Sequence, residues 1–275
     1  MNGKPSEIAK VAASDSPADR RRFLAGIGMA ACAGLVATEA AAQPKAAPKT
    51  KRPSPTSGLD GVKELLAKKD PATWIFTGDD TTHGAVHTHG WRSYPEHFAE
   101  RVRWELKRMR DIIVNTGTSG ELVKGFVADL DWRVLHLKPD VVSIMLGIAD
   151  CRQGPVAWEL FRKDLTALVT KVMAAGAIPI LNTPNTVYMK NATFQADLPA
   201  YVQIVRDVAK ATKAGLIDHS THWEMAKPNQ EELKKWLDDQ ETHPNVAGHR
   251  ELAKLIFREL EIFDDESPTC KLEVP

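Results

Sequence analysis

The stretch Trp74-Ile75-Phe76-Thr77-Gly78-Asp79-Asp80-Thr81-Thr82-His83-Gly84 decides the fold of this chain. Its apolar first part is typical of a short β-strand that is buried on both faces. Gly78 and the two carboxylates after it mark the carboxyl end of that strand. Because ligands of open α/β sheets bind outside the carboxyl ends of the strands, we expect the functional site at this turn.

Strand and helix patterns alternate through the chain up to about residue 263. Four more strand patterns follow the first, at residues 112–114, 141–146, 178–181 and 216–218. The clearest helical pattern between them runs from Trp158 to Ala174, with Gly176 as its C-terminal cap. Five strands joined by right-handed helical crossovers predict an α/β fold, a three-layer sandwich around a parallel five-stranded sheet.

Charge and cysteine content give no reason to expect a nucleic-acid partner, a disulfide framework or a cofactor. The 36 Lys and Arg residues balance the 36 Asp and Glu residues, so the formal net charge is zero. Binding of nucleic acid usually shows as a clustered basic face. The three cysteines are odd in number and far apart, which predicts neither a disulfide framework nor a zinc site.

The first 42 residues have the features of a twin-arginine-type export signal. Arg20-Arg21-Arg22 precede an apolar run from Leu24 to Ala37, and Ala40-Ala41-Ala42 resemble a cleavage site. The run is too short to span a bilayer. We therefore expect a periplasmic or extracellular protein with no transmembrane segment after signal removal. Two alternatives are a simple basic leader and a lipid anchor on Cys32.

The rest of the chain divides into three segments. Residues 43–58 are rich in Pro, Lys and Ala without apolar periodicity, which predicts a disordered linker. Residues 59–263 form the predicted domain. Residues 264–275 are acidic and contain proline, and they are predicted to be a loose tail.

Four segments at strand and helix ends resemble the four sequence blocks of the SGNH (GDSL) hydrolase family. They are Gly78–Gly84, Gly117, Gly147-Ile148-Ala149-Asp150 and His243-Pro244-Asn245-Val246-Ala247-Gly248-His249. The resemblance covers about residues 73–263, and its last block is the most specific. It implies a flavodoxin-like sheet with strand order 2-1-3-4-5, which agrees with the pattern of strands and helices.

The resemblance also implies a chemistry, ester hydrolysis by a serine whose proton passes to a histidine. In that family an aspartate three residues before the histidine orients it, and a glycine amide and an asparagine side chain help to hold the oxyanion. Gly117 falls at the oxyanion glycine and His243 at the base. Asp80 stands where the serine is expected, Ala149 where the asparagine is expected, and Gln240 where the aspartate is expected.

These three departures make an ordinary serine esterase improbable. In serine hydrolases, loss of the nucleophile costs about six orders of magnitude in rate, and loss of one oxyanion donor costs about two to three. Neutralising the orienting carboxylate costs about four. The sequence therefore predicts a catalytically impaired protein of the family that binds a small molecule or glycan.

Two alternatives to this prediction stay open. One is an active esterase or carbohydrate deacetylase in which Asp80 and His243 activate water, with or without a metal ion. The other is a structural or interaction scaffold whose cleft is filled by side chains such as Trp91 or Met145.

The residues near Asp80 admit several interpretations. Asp80 itself is a helix N-cap, a general base or nucleophile, or a metal ligand. Asp239 is a substitute for the orienting carboxylate if the loop shifts by one residue, and Thr81 or Thr82 is a substitute nucleophile if the turn slips. The weak metal-ligand candidates are Asp79, Asp80, His83, His87 and His89.

Overall fold

The computed structural model describes residues 58–188, 195–227 and 229–271. The predicted export signal, with Cys32 in it, and all of the predicted linker except Gly58 lie outside the described residues. Within the described part of the chain, no helix is both long enough and apolar enough to cross a membrane.

The centre of the domain is a parallel sheet of five strands in the order β2-β1-β3-β4-β5. The strands are β1 (Thr73–Gly78), β2 (Ile112–Asn115), β3 (Val141–Met145), β4 (Ile178–Asn182) and β5 (Gly215–Ile217). This order confirms the predicted α/β sandwich and its flavodoxin-like sheet. The carboxyl ends of β1 and β3 lie side by side at the middle of one edge, which is where a site is expected.

Helices cover both faces of the sheet. They are α1 (Leu59–Ala67), α2 (Asp80–His83), α3 (Tyr94–Glu100), α4 (Val123–Arg133), α5 (Trp158–Ala174), α6 (Leu198–Thr212), α7 (His219–Ala226), α8 (Gln230–Leu233), α9 (Val246–Glu259) and α10 (Pro268–Lys271). Ile75 of β1 packs with α4, α5 and α6, whereas Trp74 and Phe76 pack with α1, α3 and α9. Side chains of a strand point alternately to its two faces, so β1 is buried on both sides, as its sequence predicts.

Asp111 fixes the start of the sheet at the junction of β1 and β2. Its carboxylate is almost fully buried and accepts hydrogen bonds from the Ala72 amide (3.1 Å), the Trp74 indole Nε1 (2.9 Å) and Arg108 Nε (2.8 Å). A buried carboxylate persists only when charged or polar donors surround it. Asp111 therefore links the entry of β1 to the segment that leads into β2.

Residues 264–271 are not a loose tail, so that part of the prediction is wrong. Ser267 and Cys270 are buried, and the segment ends in α10. The Glu105 carboxylate accepts hydrogen bonds from the Ser267 hydroxyl and from the Thr269 amide (2.9 Å). These partners lie more than 160 residues apart in sequence, so the local composition gave no sign of them.

Candidate active site

The turn after β1 depends on Gly78. A Cβ atom at this position would lie 2.1 Å from the Met145 carbonyl oxygen, a distance that no side chain tolerates. The glycine lets the chain approach β3 closely, and the Asp79 amide then donates to the same carbonyl (3.2 Å). This contact places α2 directly at the carboxyl edge of the sheet.

Asp79 is the N-cap of α2, so the interpretation of Asp80 as the cap is wrong. One Asp79 oxygen accepts from the Thr81 amide (3.3 Å), and the other accepts from the amides of residues 147–149 (3.2–3.4 Å). The side chain is buried, and backbone donors surround its oxygens. Asp79 therefore holds the loop after β3 against α2 and is not available as a metal ligand.

Burial and the nearby carboxylates of Asp80 and Asp150 raise the pKa of Asp79 to about 7. In the unfolded chain the pKa of this carboxyl is near 4, so between about pH 4 and pH 7 only the unfolded chain releases the proton. Protonation of Asp79 therefore stabilises the folded chain. This contribution to the free energy of unfolding is complete below about pH 4 and is lost as the pH rises to about 7. We expect the free energy of unfolding to fall across this interval by on the order of 4 kcal/mol relative to an Asp79→Asn variant.

Chemical denaturation of both proteins at several pH values measures this difference. Subtracting the free energy of unfolding of the variant from that of the native chain at each pH cancels the contribution of the other acids. A difference that stays constant between pH 4 and pH 7 would show that Asp79 titrates normally in the folded protein.

Asp80 is half-buried, and its carboxylate accepts the Gly120 amide (2.9 Å). The two threonines beside it are completely buried. The Thr81 hydroxyl faces the Asn185 side-chain oxygen (3.4 Å), and the Thr82 hydroxyl is bonded to the Tyr94 hydroxyl (2.9 Å). Neither threonine is therefore accessible as a substitute nucleophile.

The loop that carries His243 is a small hairpin, and it brings Asp238 beside this histidine. Leu237 and Pro244 form an antiparallel bridge, and the Asp238 amide donates to the His243 carbonyl (2.8 Å). One Asp238 oxygen accepts the amides of Thr242 and His243, both at 3.2 Å. The other oxygen lies 3.6 Å from His243 Nδ1.

Asp238, five residues before His243, is therefore the carboxylate beside this histidine. The sequence placed Gln240 at the position of the orienting aspartate and offered Asp239 as a substitute, but both are exposed while Asp238 faces inward. The family's spacing of three residues between aspartate and histidine does not identify Asp238, because the chain turns within the hairpin. Glu241 adopts a left-handed φ of 58° in this turn. The one available signal was the preference of aspartate for turns in which it bonds amides that follow it.

The same Asp238 oxygen also contacts His87, at 2.8 Å from Nδ1. Burial alone would favour the neutral acid, but the His243 and His87 imidazoles and the Thr242 amide outweigh it and lower the pKa of Asp238 well below its ordinary value. The carboxylate is therefore charged at neutral pH. No sequence pattern predicted that His87 and Asp238, 151 residues apart, would meet.

His87 and His243 are stacked, with ring centroids 4.0 Å apart and an interplanar angle of 17°. One possible ligand atom each from Asp80, His87 and His243 lies within 4.8 Å of the others. Of the predicted metal candidates, the structure thus brings Asp80 and His87 together and adds His243. His83 is instead bonded to the Ser119 hydroxyl (2.8 Å), and His89 is exposed.

Gly117 and Ala149 also lie at this edge of the sheet. The Gly117 amide donates to the Asn115 side chain (2.9 Å), whose amide group donates to the Thr82 carbonyl (2.8 Å). The Ala149 amide points to Asp79, and its methyl group offers no hydrogen-bond donor. In this structure the Gly117 amide is therefore engaged by a side chain rather than open to a ligand.

A cleft of about 480 Å³ adjoins Gly117. Thr118, Trp132, Arg133 and His136 also line it, and the Trp132 side chain is 73% exposed. The side chains that would favour a scaffold do not close the site, because Trp91 is exposed and Met145 belongs to the core. The carboxylate and two imidazoles of Asp80, His87 and His243 form one cluster, and the cleft with the exposed Trp132 is a separate feature beside Gly117.

The sheet order and the position of this site define an α/β hydrolase-like fold of the SGNH type. The profile of the GDSL-like Lipase/Acylhydrolase family matches residues 76–251. The chain therefore belongs to the GDSL-like lipase/acylhydrolase family.

Individual relatives agree with this assignment. An acetylxylan esterase of Geobacillus stearothermophilus is 29% identical in an alignment of 161 residues that covers 54% of this chain and 71% of the relative. The uncharacterized esterase YxiM of Bacillus subtilis is 26% identical over 216 residues, 72% of this chain and 54% of the relative.

Solved structures share the fold. LAE5, an alpha/beta hydrolase enzyme from the metagenome of Lake Arreo, superimposes with a TM-score of 0.60 at 23% identity and covers 72% of this chain and 99% of its own. Axe2, an acetylxylan esterase from Geobacillus stearothermophilus, gives a TM-score of 0.57 at 23% identity. The superposition covers 70% of this chain and 95% of the Axe2 chain.

Proposed function

We propose that this chain is an exported member of the GDSL-like family that has lost serine catalysis and binds an acylated carbohydrate at the carboxyl edge of its sheet. Asp80 stands in the position of the family's serine, and Ala149 in that of its oxyanion asparagine. The ligand lies between Asp80, His243 and the cleft beside Gly117. The ligand class follows the acetylxylan esterases to which the chain is similar.

The observation that carries the proposal is the absence of an accessible hydroxyl at the start of α2 within the described residues. Asp80 occupies the accessible position, and the hydroxyls of Thr81 and Thr82 are buried and bonded. A carboxylate that attacks an ester forms a labile anhydride rather than a stable acyl-enzyme. The usual acyl-enzyme route therefore lacks its hydroxyl nucleophile.

Trp132 supports a carbohydrate as the ligand. An indole ring that is 73% exposed beside this cleft offers an apolar face to the C–H face of a sugar ring, and Thr118, Arg133 and His136 supply polar groups next to it. Covering an aromatic side chain is worth roughly 1.5–3 kcal/mol, which corresponds to a tenfold to hundredfold change in affinity. We expect a Trp132→Ala variant to bind acetylated xylooligosaccharides tenfold to hundredfold more weakly.

Calorimetric titration of the full chain with acetylated xylooligosaccharides tests the proposal, with product analysis of the same samples. We expect binding without release of acetate. Trp104 is similarly exposed but lies on the segment after α3, so Trp104→Ala is the matched control and should bind normally. Acetate release that disappears in His243→Ala would contradict the proposal, as would equal affinities of native chain and Trp132→Ala.

The contact between Asp238 and His243 favours a second candidate, hydrolysis by activated water. In this route His243 takes a proton from water, and the water oxygen bonds to the acyl carbon. The carbon–oxygen bond to the alcohol then breaks, and the alcohol receives the proton from His243. Acetate release by the native chain that requires both His243 and Asp80 is the result that would establish this route.

A further inference from the structure

We propose that Asp80, His87 and His243 form a binding site for a divalent transition-metal ion such as Zn²⁺, supported from outside by Asp238. Two imidazoles and one carboxylate are a common set of protein ligands for zinc, and they leave a fourth position for water or a ligand oxygen. This inference goes beyond the proposed function, because the ion binds whether or not a carbohydrate is present.

Asp238 determines which nitrogen each histidine offers. Its Oδ2 accepts from His87 Nδ1 at 2.8 Å and lies 3.6 Å from His243 Nδ1. Both Nδ1 atoms therefore face one carboxylate oxygen, and Nε2 is the nitrogen left free on each ring. A carboxylate behind a ligating imidazole is the usual arrangement in metal sites, where it fixes the tautomer and strengthens the ligand.

The two free nitrogens and the Asp80 carboxylate then form a group of acceptors without a donor between them. Among the described residues, the one hydrogen bond to the Asp80 carboxylate comes from the Gly120 amide, and neither Nε2 atom has a partner. One possible ligand atom each from Asp80, His87 and His243 lies within 4.8 Å of the others, and a cation between such acceptor atoms attracts all three. Asp80 and Asp238 supply two carboxylates beside the imidazoles, a set of groups that suits a divalent ion.

Ligation requires only a local movement. Zinc–nitrogen distances of about 2.0–2.1 Å place the ligand atoms of a tetrahedral site roughly 3.4 Å apart. The three ligand atoms must draw together by at most about 1.4 Å, and the stacked rings must tilt so that two ring nitrogens converge. The neighbours Ala85, Val86 and His89 of His87 are exposed and leave room for this movement, while Thr88 is buried and anchors the loop.

Metal binding to the untagged full chain tests the inference in the absence of any carbohydrate. Calorimetry with Zn²⁺ and absorption spectroscopy with Co²⁺ are expected to give one ion per chain and a cobalt spectrum typical of nitrogen and oxygen ligands. We expect His87→Ala and Asp80→Asn each to weaken binding at least hundredfold. Asp238→Asn should weaken it by about tenfold to hundredfold and alter the cobalt spectrum.

His89→Ala is the matched control, since this histidine is in the same loop but outside the cluster, and we expect it to bind zinc like the native chain. Circular dichroism of each variant separates lost ligation from lost folding. Absence of binding by the native chain, or equal binding by His87→Ala, would overturn the inference. Titration with carbohydrate in the presence of a chelator tests the proposed function separately. Carbohydrate binding without metal binding means that only the metal site fails, and loss of carbohydrate binding alone means that only the proposed function fails.

Discussion

An Asp80→Ser variant is expected to hydrolyse p-nitrophenyl acetate roughly three orders of magnitude faster than the native chain. A serine nucleophile raises the rate by about six orders of magnitude. Without a donor side chain at Ala149, about two to three of these orders are lost. His243 and Asp238 are already placed to receive and support the proton of the new hydroxyl. Adding Ala149→Asn is expected to raise the rate by about another hundredfold.

Two controls separate a new nucleophile from a general effect of removing the charge. Asp80→Ala removes the carboxylate without supplying a hydroxyl, and it should stay at the native rate. Asp80→Ser combined with His243→Ala should return to that rate as well. An Asp80→Ser protein that folds and is no faster than Asp80→Ala would show that His243 and Asp238 do not form a working base.

Replacing Asp111 with Ala is expected to lower the free energy of unfolding by about 3–5 kcal/mol. The substitution leaves the Arg108 side chain, which is only 9% exposed, without its carboxylate and removes the acceptor of the Trp74 indole and the Ala72 amide. Removal of one partner of a buried ion pair has a cost of this size because the other charge stays desolvated. Urea denaturation followed by tryptophan fluorescence measures the change.

Asp131 provides the matched control for this substitution. Its side chain is exposed on α4, so Asp131→Ala should change the free energy of unfolding by less than about 0.5 kcal/mol. A similar small change for Asp111→Ala would mean that the start of β1 does not depend on this carboxylate.

The sheet was predictable because its strands are unusually clear. Trp74–Phe76 and Val141–Met145 are short apolar runs that end in glycine or polar residues, and such runs fit strands that are buried on both faces. Helical connections between parallel strands then fix the handedness of the crossovers, whereas the strand order was what the resemblance to the SGNH family implied. The structure confirms both the parallel sheet and this order.

The contacts of the site were much less predictable, because they depend on loops. Asp238 reaches His243 only through a hairpin with a left-handed residue, and His87 reaches Asp238 across 151 positions. The two adjacent carboxylates Asp79 and Asp80 look alike in sequence, yet one is buried in backbone amides and the other faces the site. Sequence spacing carries little information about such long-range contacts.

The packed segment 264–271 illustrates the same limit. Acidic and proline-containing composition indicated a loose tail after residue 263. Glu105, which is also paired with Arg101, instead supplies acceptors for Ser267 and Thr269. One half-buried carboxylate far away in sequence thus binds a segment that has little hydrophobic character of its own.

The central claim is that the native chain has no hydroxyl nucleophile at the start of α2, and intact-mass measurement after treatment with a fluorophosphonate tests it most directly. Such reagents form a covalent adduct with the activated serine of a serine hydrolase. We expect the native chain to stay unmodified and Asp80→Ser to take up one adduct per chain. One adduct on the native chain that is absent from His243→Ala would contradict the account, because it would reveal an activated hydroxyl elsewhere in the site.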